Sequence, residues 1–226
     1  MAIRFHEETK KGFSFKLAQR DFLILFSSLL VAAIYIFYPN KTIGETFFLS
    51  IFLFLLFPYL MIKFIIKEDL ADFGLTLGNK KIGLISSAIF LIIFLAINYF
   101  LVSKPELRDK LFVPELIAGN FLLFLWFEIV ISLSLHFSWE FFFRGYLQLG
   151  LTKKIGMFSL FIPAIAQSLI FGRSNWMIFA VLLSSSLGAG LIAKYSRSIM
   201  YSFVSMWLIS VSLDIMIIRY IHQALS

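Results

Sequence analysis

Seven stretches of largely apolar residues alternate with short polar segments along this chain. The stretches cover residues 22–38, 44–66, 82–102, 117–138, 156–172, 176–193 and 199–221. A helix needs about 20 residues to cross a hydrocarbon layer of roughly 30 Å, and backbone in lipid must satisfy its own hydrogen bonds, which favours helices. The pattern therefore predicts an all-α fold, a polytopic membrane helix bundle with about seven transmembrane helices.

Two features of the connections shape this topology. The segment from Leu116 to Leu151 is either one long helix or a span followed by a second helix that dips back into the bilayer, because Gly145 and Gly150 interrupt it. The polar connection from Lys67 to Lys81 predicts an interfacial segment with a turn at residues 78–79. Residues 1–21 are predicted to form an N-terminal tail, and residues 22–226 a single transmembrane bundle.

Composition supports a lipid environment. Of 226 residues, 60% are hydrophobic and only 15% are charged, which is far more apolar than one soluble core requires. The chain contains no Cys, which excludes disulfides, Cys-ligated metal and thiol catalysis.

The distribution of Lys and Arg predicts the orientation. Thirteen of these residues lie in the tail and on alternate connections, and six lie on the opposite side. Arg144 is not counted, because it lies at membrane depth. Basic residues accumulate on the cytoplasmic side, so we expect a cytoplasmic N-terminus, an external C-terminus and a first span that is retained. A bacterial inner membrane is the expected location. The net charge of +7 follows from this bias, so no nucleic-acid partner is inferred.

Ionisable side chains within the apolar stretches are the candidate functional residues, because burying them in a bilayer is costly. His136, Glu140 and Arg144 follow at helical spacing, so Glu140 can pair with either neighbour. Such a cluster is either an ion pair that locks helices together or a polar site inside the bundle. The other candidates are two acids and three uncharged companions: Glu128, Asp214, Gln167, Asn175 and Ser210.

Three short runs resemble the motifs of the CAAX protease and bacteriocin-processing family of intramembrane peptidases, also called the Abi family. Its first motif, EExxxR followed by Gly, resembles WEFFFRG at residues 139–145, with Trp139 at the first Glu and with Glu140, Arg144 and Gly145 retained. The second, FxxxH, resembles FGRSN, with Phe171 retained and Asn175 at the His. The third, HxxxN or HxxxD, places Met206 and Ser210 at its two positions. The likeness covers about residues 70–215.

The resemblance implies a peptidase scaffold that has lost its chemistry. In the family, the first Glu and the two His are thought to activate the attacking water. Trp139, Asn175 and Met206 cannot take those roles, whereas Glu140 and Arg144 suit a charge-assisted brace. The expected protein is a non-catalytic scaffold or partner-binding subunit of a membrane assembly, with no cofactor and no metal. Its expected partners are the lipid bilayer and another integral membrane protein.

Two alternatives stay open. One is an active intramembrane endopeptidase with a rewired site, in which His136 works with Glu140 or Asp214. The other is a transporter or channel component, in which Glu128, His136 and Asp214 form a proton or ion path.

Overall fold

The computed structural model describes the backbone of residues 2–39, 42–104, 115–172 and 175–225, and the side chains of residues 19–39, 42–104, 116–172 and 175–220. This part of the chain is helical and has no strand. Seven helices account for most of it: α1 (Ala2–Phe37), α2 (Ile43–Ile66), α3 (Lys80–Ser103), α4 (121–155), α5 (Phe161–Phe171), α6 (Trp176–Ser196) and α7 (Ile199–Leu225).

The protein is an integral, multi-pass membrane protein with an all-α fold. Six helical segments within the described residues are long and apolar enough to cross a membrane. The predicted count of seven is not confirmed, because the predicted fourth and fifth spans fall within one run, Phe121–Phe171. In that run α5 has only 11 residues.

From Phe121 onward, the segment from Leu116 to Leu151 is one long helix, α4, which begins after its N-cap Asn120 and is separate from the short helix Glu115–Ala118. Gly145 and Gly150 both lie inside it, and the chain turns only at Gly156, where φ is +56°. Two stretches of α4, Phe127–Ser132 and Phe141–Leu149, are wound as π-helix. Such wide turns often occur at functional sites.

The connection after α2 is tied to the turn between α6 and α7. Asn79 donates its backbone N–H to the Ser196 carbonyl at 2.7 Å, and Ile199 donates to the Gly74 carbonyl at 3.0 Å. Gly78 has φ of +47°, and the Asn79 side chain caps α3. The positive φ of Gly78 lies at the predicted place, while the hydrogen-bonded turn of this connection is at Gly74, where φ is +85°. We call residues 74–79 the anchored connection.

An ion network lies at the same end of the bundle. The Arg20 guanidinium pairs with Glu68 at 2.7 Å and with Asp21 at 3.1 Å, and it donates to the Gly150 carbonyl at 2.7 Å. Lys154 lies 3.8 Å from Asp21. This network links the start of the membrane-length part of α1 to the end of α4. Some basic residues of the charge count have side chains outside the described part of the structure. They are those of residues 1–18 and Lys41, Arg108, Lys110 and Arg173.

Replacement of Arg20 by Gln is expected to lower the free energy of unfolding by about 1.5 kcal/mol, because buried hydrogen bonds to charged groups are worth about that much. Thermal unfolding in detergent measures the change. The control is Lys153→Gln, because Lys153 is largely exposed and lies 3.8 Å from Asp72, and exposed pairs contribute about 0–1 kcal/mol. Equal effects of the two substitutions would contradict a role for the network in stability.

Aromatic side chains fill the core beside α4. Phe54 of α2 packs on Phe142 and Phe143, with ring centroids 4.9 and 5.6 Å apart, and Phe73 stacks on Tyr146 at 6.2 Å. All five are buried. Many other large apolar side chains point outward, as expected for surfaces that face lipid. The core thus fixes the half of α4 that carries Glu140 and Arg144.

Candidate functional site

A buried ion pair joins three helices at the centre of the bundle. The Arg144 Nη2 atom lies 3.5 Å from Glu140 Oε1 and donates to Gln167 Oε1 on α5 at 2.7 Å. That oxygen also accepts a hydrogen bond from the Ser186 hydroxyl of α6 at 2.9 Å. We call Glu140, Arg144, Gln167 and Ser186 the brace.

Two further residues of α4 extend the contacts of the brace. Gln148 donates from Nε2 to the Gly190 carbonyl of α6 at 2.7 Å. A Cβ atom on Gly145 would lie 2.7 Å from the Phe73 carbonyl oxygen. At this point α4 therefore lies directly against the turn after α2, and only glycine fits.

A cavity of about 330 Å³ lies beside the brace, between α3, α4, α6 and α7. Its lining includes five of the residues singled out in the sequence, namely His136, Trp139, Met206, Ser210 and Asp214. The described structure therefore brings the first and third motif positions together on one surface. Glu140 and Arg144 are not among the lining residues; they make the contacts of the brace instead.

The remaining motif positions lie outside the cavity lining. The Phe171 ring packs on the Trp139 indole, with centroids 4.7 Å apart. Asn175 is the N-cap of α6, and its side-chain oxygen accepts from the backbone N–H groups of Met177 and Ile178 at 2.8 and 3.3 Å. Its carboxamide oxygen therefore satisfies the start of a helix.

His136 is bonded within its own helix. Its Nδ1 lies 2.8 Å from the Ser132 carbonyl oxygen, and its ring lies 5.2 Å from the Trp139 ring. Because a carbonyl can only accept, Nδ1 carries the proton, which leaves Nε2 of the neutral ring as an acceptor. The structure does not show Glu140 paired with His136. Instead, the His136 ring is hydrogen-bonded to the Ser132 carbonyl, one turn earlier in the same helix.

One of two neighbouring acids lines the cavity. Asp214 of α7 is a lining residue, and its carboxyl faces that of Glu128 on α4, which is buried and is not among the lining residues. Trp207 donates from Nε1 to the Glu128 backbone carbonyl at 3.1 Å, which fixes the two helices at this level. We call Glu128 and Asp214 the acid pair.

Sequence reasoning grouped Glu128 and Asp214 only as members of a path with His136 and not as facing carboxyls, and it missed Gln148 and Ser186 as partners. Gln148 had a signal, since it continues the spacing of His136, Glu140 and Arg144 by one more turn. The acid pair had none, because the relative height of α4 and α7 is not encoded in local spacing. Among the described residues, no group of three or more His, Asp or Glu side chains is placed to hold a metal ion.

No family model, no curated protein and no solved structure matches this chain.

Proposed function

We propose that this chain is a non-catalytic membrane protein with a CAAX-protease-like fold, which acts as a scaffold or partner-binding subunit of a membrane assembly. The observation that carries the proposal is the place of Trp139. In the motif resemblance Trp139 stands at the first Glu, and in the structure its indole packs on Phe171 and His136 at the cavity wall. An indole cannot accept the proton of an attacking water.

The retained motif residues support the same conclusion. The Arg144 guanidinium lies 3.5 Å from Glu140 and donates to Gln167 of α5, so it holds α4 and α5 together. Asn175 caps α6 and Met206 offers the cavity a thioether. Neither can replace a histidine as a general base.

The proposed partner is another integral membrane protein, and the proposed location is a bacterial inner membrane. The proposed orientation has a cytoplasmic N-terminus and an external C-terminus. Four basic residues gather at the end of the bundle that holds Arg20, namely Lys153, Lys154, Lys194 and Arg197. Basic residues favour the cytoplasmic side, which supports this orientation.

One observation favours the peptidase alternative. His136 and Asp214 line the same cavity, and the neutral His136 ring has an acceptor at Nε2, so a base and a carboxyl are present there. Glu140, the third residue of that alternative, is held in the brace.

We expect the purified chain to show no hydrolysis of transmembrane or prenylated peptide reporters in proteoliposomes, because Trp139 replaces the base. The measurement compares wild type with His136→Ala and Asp214→Asn by mass spectrometry of the peptides. All three are expected to give the background rate of empty liposomes. Cleavage by wild type that either substitution abolishes would overturn the non-catalytic assignment.

The partner is tested by native mass spectrometry of the chain extracted from its own membranes in mild detergent. A complex of fixed stoichiometry with a second membrane protein is expected, whereas the same chain overproduced alone should be free of it. Recovery of the monomer alone from native membranes would contradict the scaffold role.

A further inference from the structure

The cavity between α3, α4, α6 and α7 has the size and chemistry of a small-molecule site. Its volume of about 330 Å³ falls within the roughly 300–1,000 Å³ of ligand pockets. Most of its lining is apolar, including the side chains of Phe94, Leu101, Phe127, Leu182 and Met206. A few polar groups converge on this apolar surface, which is the usual composition of a pocket that orients a ligand.

The acid pair gives the cavity its charge preference. Glu128 is only 2% exposed, and neither of its carboxyl oxygens has a hydrogen-bond donor among the described residues other than the facing Asp214 carboxyl. A buried carboxylate is costly unless it is paired. Two carboxyls that face each other share one proton, so the acid pair carries a single negative charge, which a cation bound at Asp214 would stabilise.

The described residues do not supply that cation. None of the side chains that line the cavity belongs to Lys or Arg. Arg144 of the same helix lies 16 residues from Glu128, about 24 Å along a helix axis, and the ion pairs of the described residues leave Glu128 and Asp214 without a basic side chain. A cation bound from outside the chain would fill this role.

Neighbouring groups favour an organic cation over a bare metal ion. Ser210 lies one turn before Asp214 and lines the same cavity, and its hydroxyl can accept a hydrogen bond from an ammonium N–H group. Aromatic faces such as Trp139 and Phe127 attract cations and also pack on hydrocarbon. No group of three or more His, Asp or Glu in the described chain is placed to hold a metal.

We propose that this cavity binds a small amphiphilic amine, with its ammonium group at the acid pair of Glu128 and Asp214 and its apolar body between Trp139 and Met206. The site is independent of the proposed scaffold role, because it uses neither the brace nor a partner protein.

Binding is tested with two probes of equal shape on the purified chain in nanodiscs. Tritiated 4-phenylbutylamine carries an ammonium group, and tritiated 4-phenylbutan-1-ol has the same apolar body with a neutral head. Equilibrium dialysis against empty nanodiscs corrects for partition into lipid. We expect the amine to bind at least about tenfold more tightly than the alcohol, because a hydrogen bond to a charged group contributes about 1.5–3 kcal/mol.

Substitutions then assign the preference to the acid pair. Asp214→Asn and Glu128→Gln are each expected to reduce the preference for the amine by about tenfold. The matched control is Asp72→Asn, which makes the same change at a half-exposed carboxyl paired with Lys153, and it should keep the full preference. Met206→Trp fills the cavity and should abolish saturable binding of both probes.

Three results would overturn the proposal: equal affinity for the two probes, no saturable binding of the amine by wild type, or a preference that survives in both acid-pair variants. Elution volume and thermal unfolding confirm that each variant is folded. If Asp214→Asn does not fold, Glu128→Gln and Met206→Trp still decide the outcome.

Discussion

Replacement of Arg144 by Leu is expected to lower the free energy of unfolding by about 3–5 kcal/mol, the usual cost of removing one partner from a buried ion pair. The Arg144 side chain is fully buried, and its guanidinium is the charged neighbour of Glu140. Without it the Glu140 carboxyl is left in an apolar interior. Gln167 loses only one of two hydrogen bonds, because its Oε1 still accepts from the Ser186 hydroxyl. Thermal unfolding in detergent and the yield of folded protein measure the loss.

The double variant Glu140→Leu with Arg144→Leu separates the charge effect from packing. Replacing both members of a buried pair by apolar side chains is often neutral or stabilising, so the double variant should recover most of the stability lost in Arg144→Leu. A double variant as unstable as the single one would show that packing volume, and not the unpaired Glu140 carboxyl, causes the loss.

Replacement of Gly145 by Leu is expected to lower the free energy of unfolding by about 3 kcal/mol, at the upper end of the usual cost of overpacking. Its Cβ would lie 2.7 Å from the Phe73 carbonyl oxygen and 3.3 Å from the Phe141 ring. A backbone carbonyl cannot rotate away as a flexible side chain does, so α4 itself must shift. The shift would also move Arg144, which is its neighbour in sequence.

The matched control is Gly44→Leu. A Cβ at Gly44 meets nothing within 4 Å, and the residue lies in a helix. Leucine is a better helix former than glycine by up to about 1 kcal/mol, so this variant should be unchanged or slightly more stable. If thermal unfolding showed a similar loss of stability in both variants, leucine would destabilise the bundle at either site. The close approach of α4 to Phe73 would then not be the cause.

The sequence was sufficient for the helices and for much of the cavity. Apolar stretches of membrane length placed α2, α3, α6 and α7 within a few residues of their observed ends. The motif spacing also selected Trp139, Met206 and Ser210, which the cavity brings together. These predictions depended on local periodicity and on the order of motifs, both of which can be determined from one sequence.

The sequence could not predict which side chains of α4 point in the same direction, because parts of this helix are wound as π-helix. A π-helical turn takes one extra residue, which rotates the side chains beyond it by about 100° relative to a regular helix. Phe127–Ser132 is wound in this way between Glu128 and His136, so regular spacing does not give their relative direction. The end of α4 at Gly156 could not be predicted from hydropathy either, because its positive φ is a backbone conformation that glycine permits and that hydropathy does not reveal.

The anchored connection has a consequence for biosynthesis. The Tyr201 hydroxyl donates to the Leu77 carbonyl, and these residues are 124 positions apart in the chain. At roughly 5–20 residues per second of translation, the ribosome needs on the order of 6–25 s to deliver the second half of this contact. Until then the carbonyl groups of residues 74–79 that α6 and α7 later contact are hydrated by water, and the N-terminal helices lie in the membrane without these contacts.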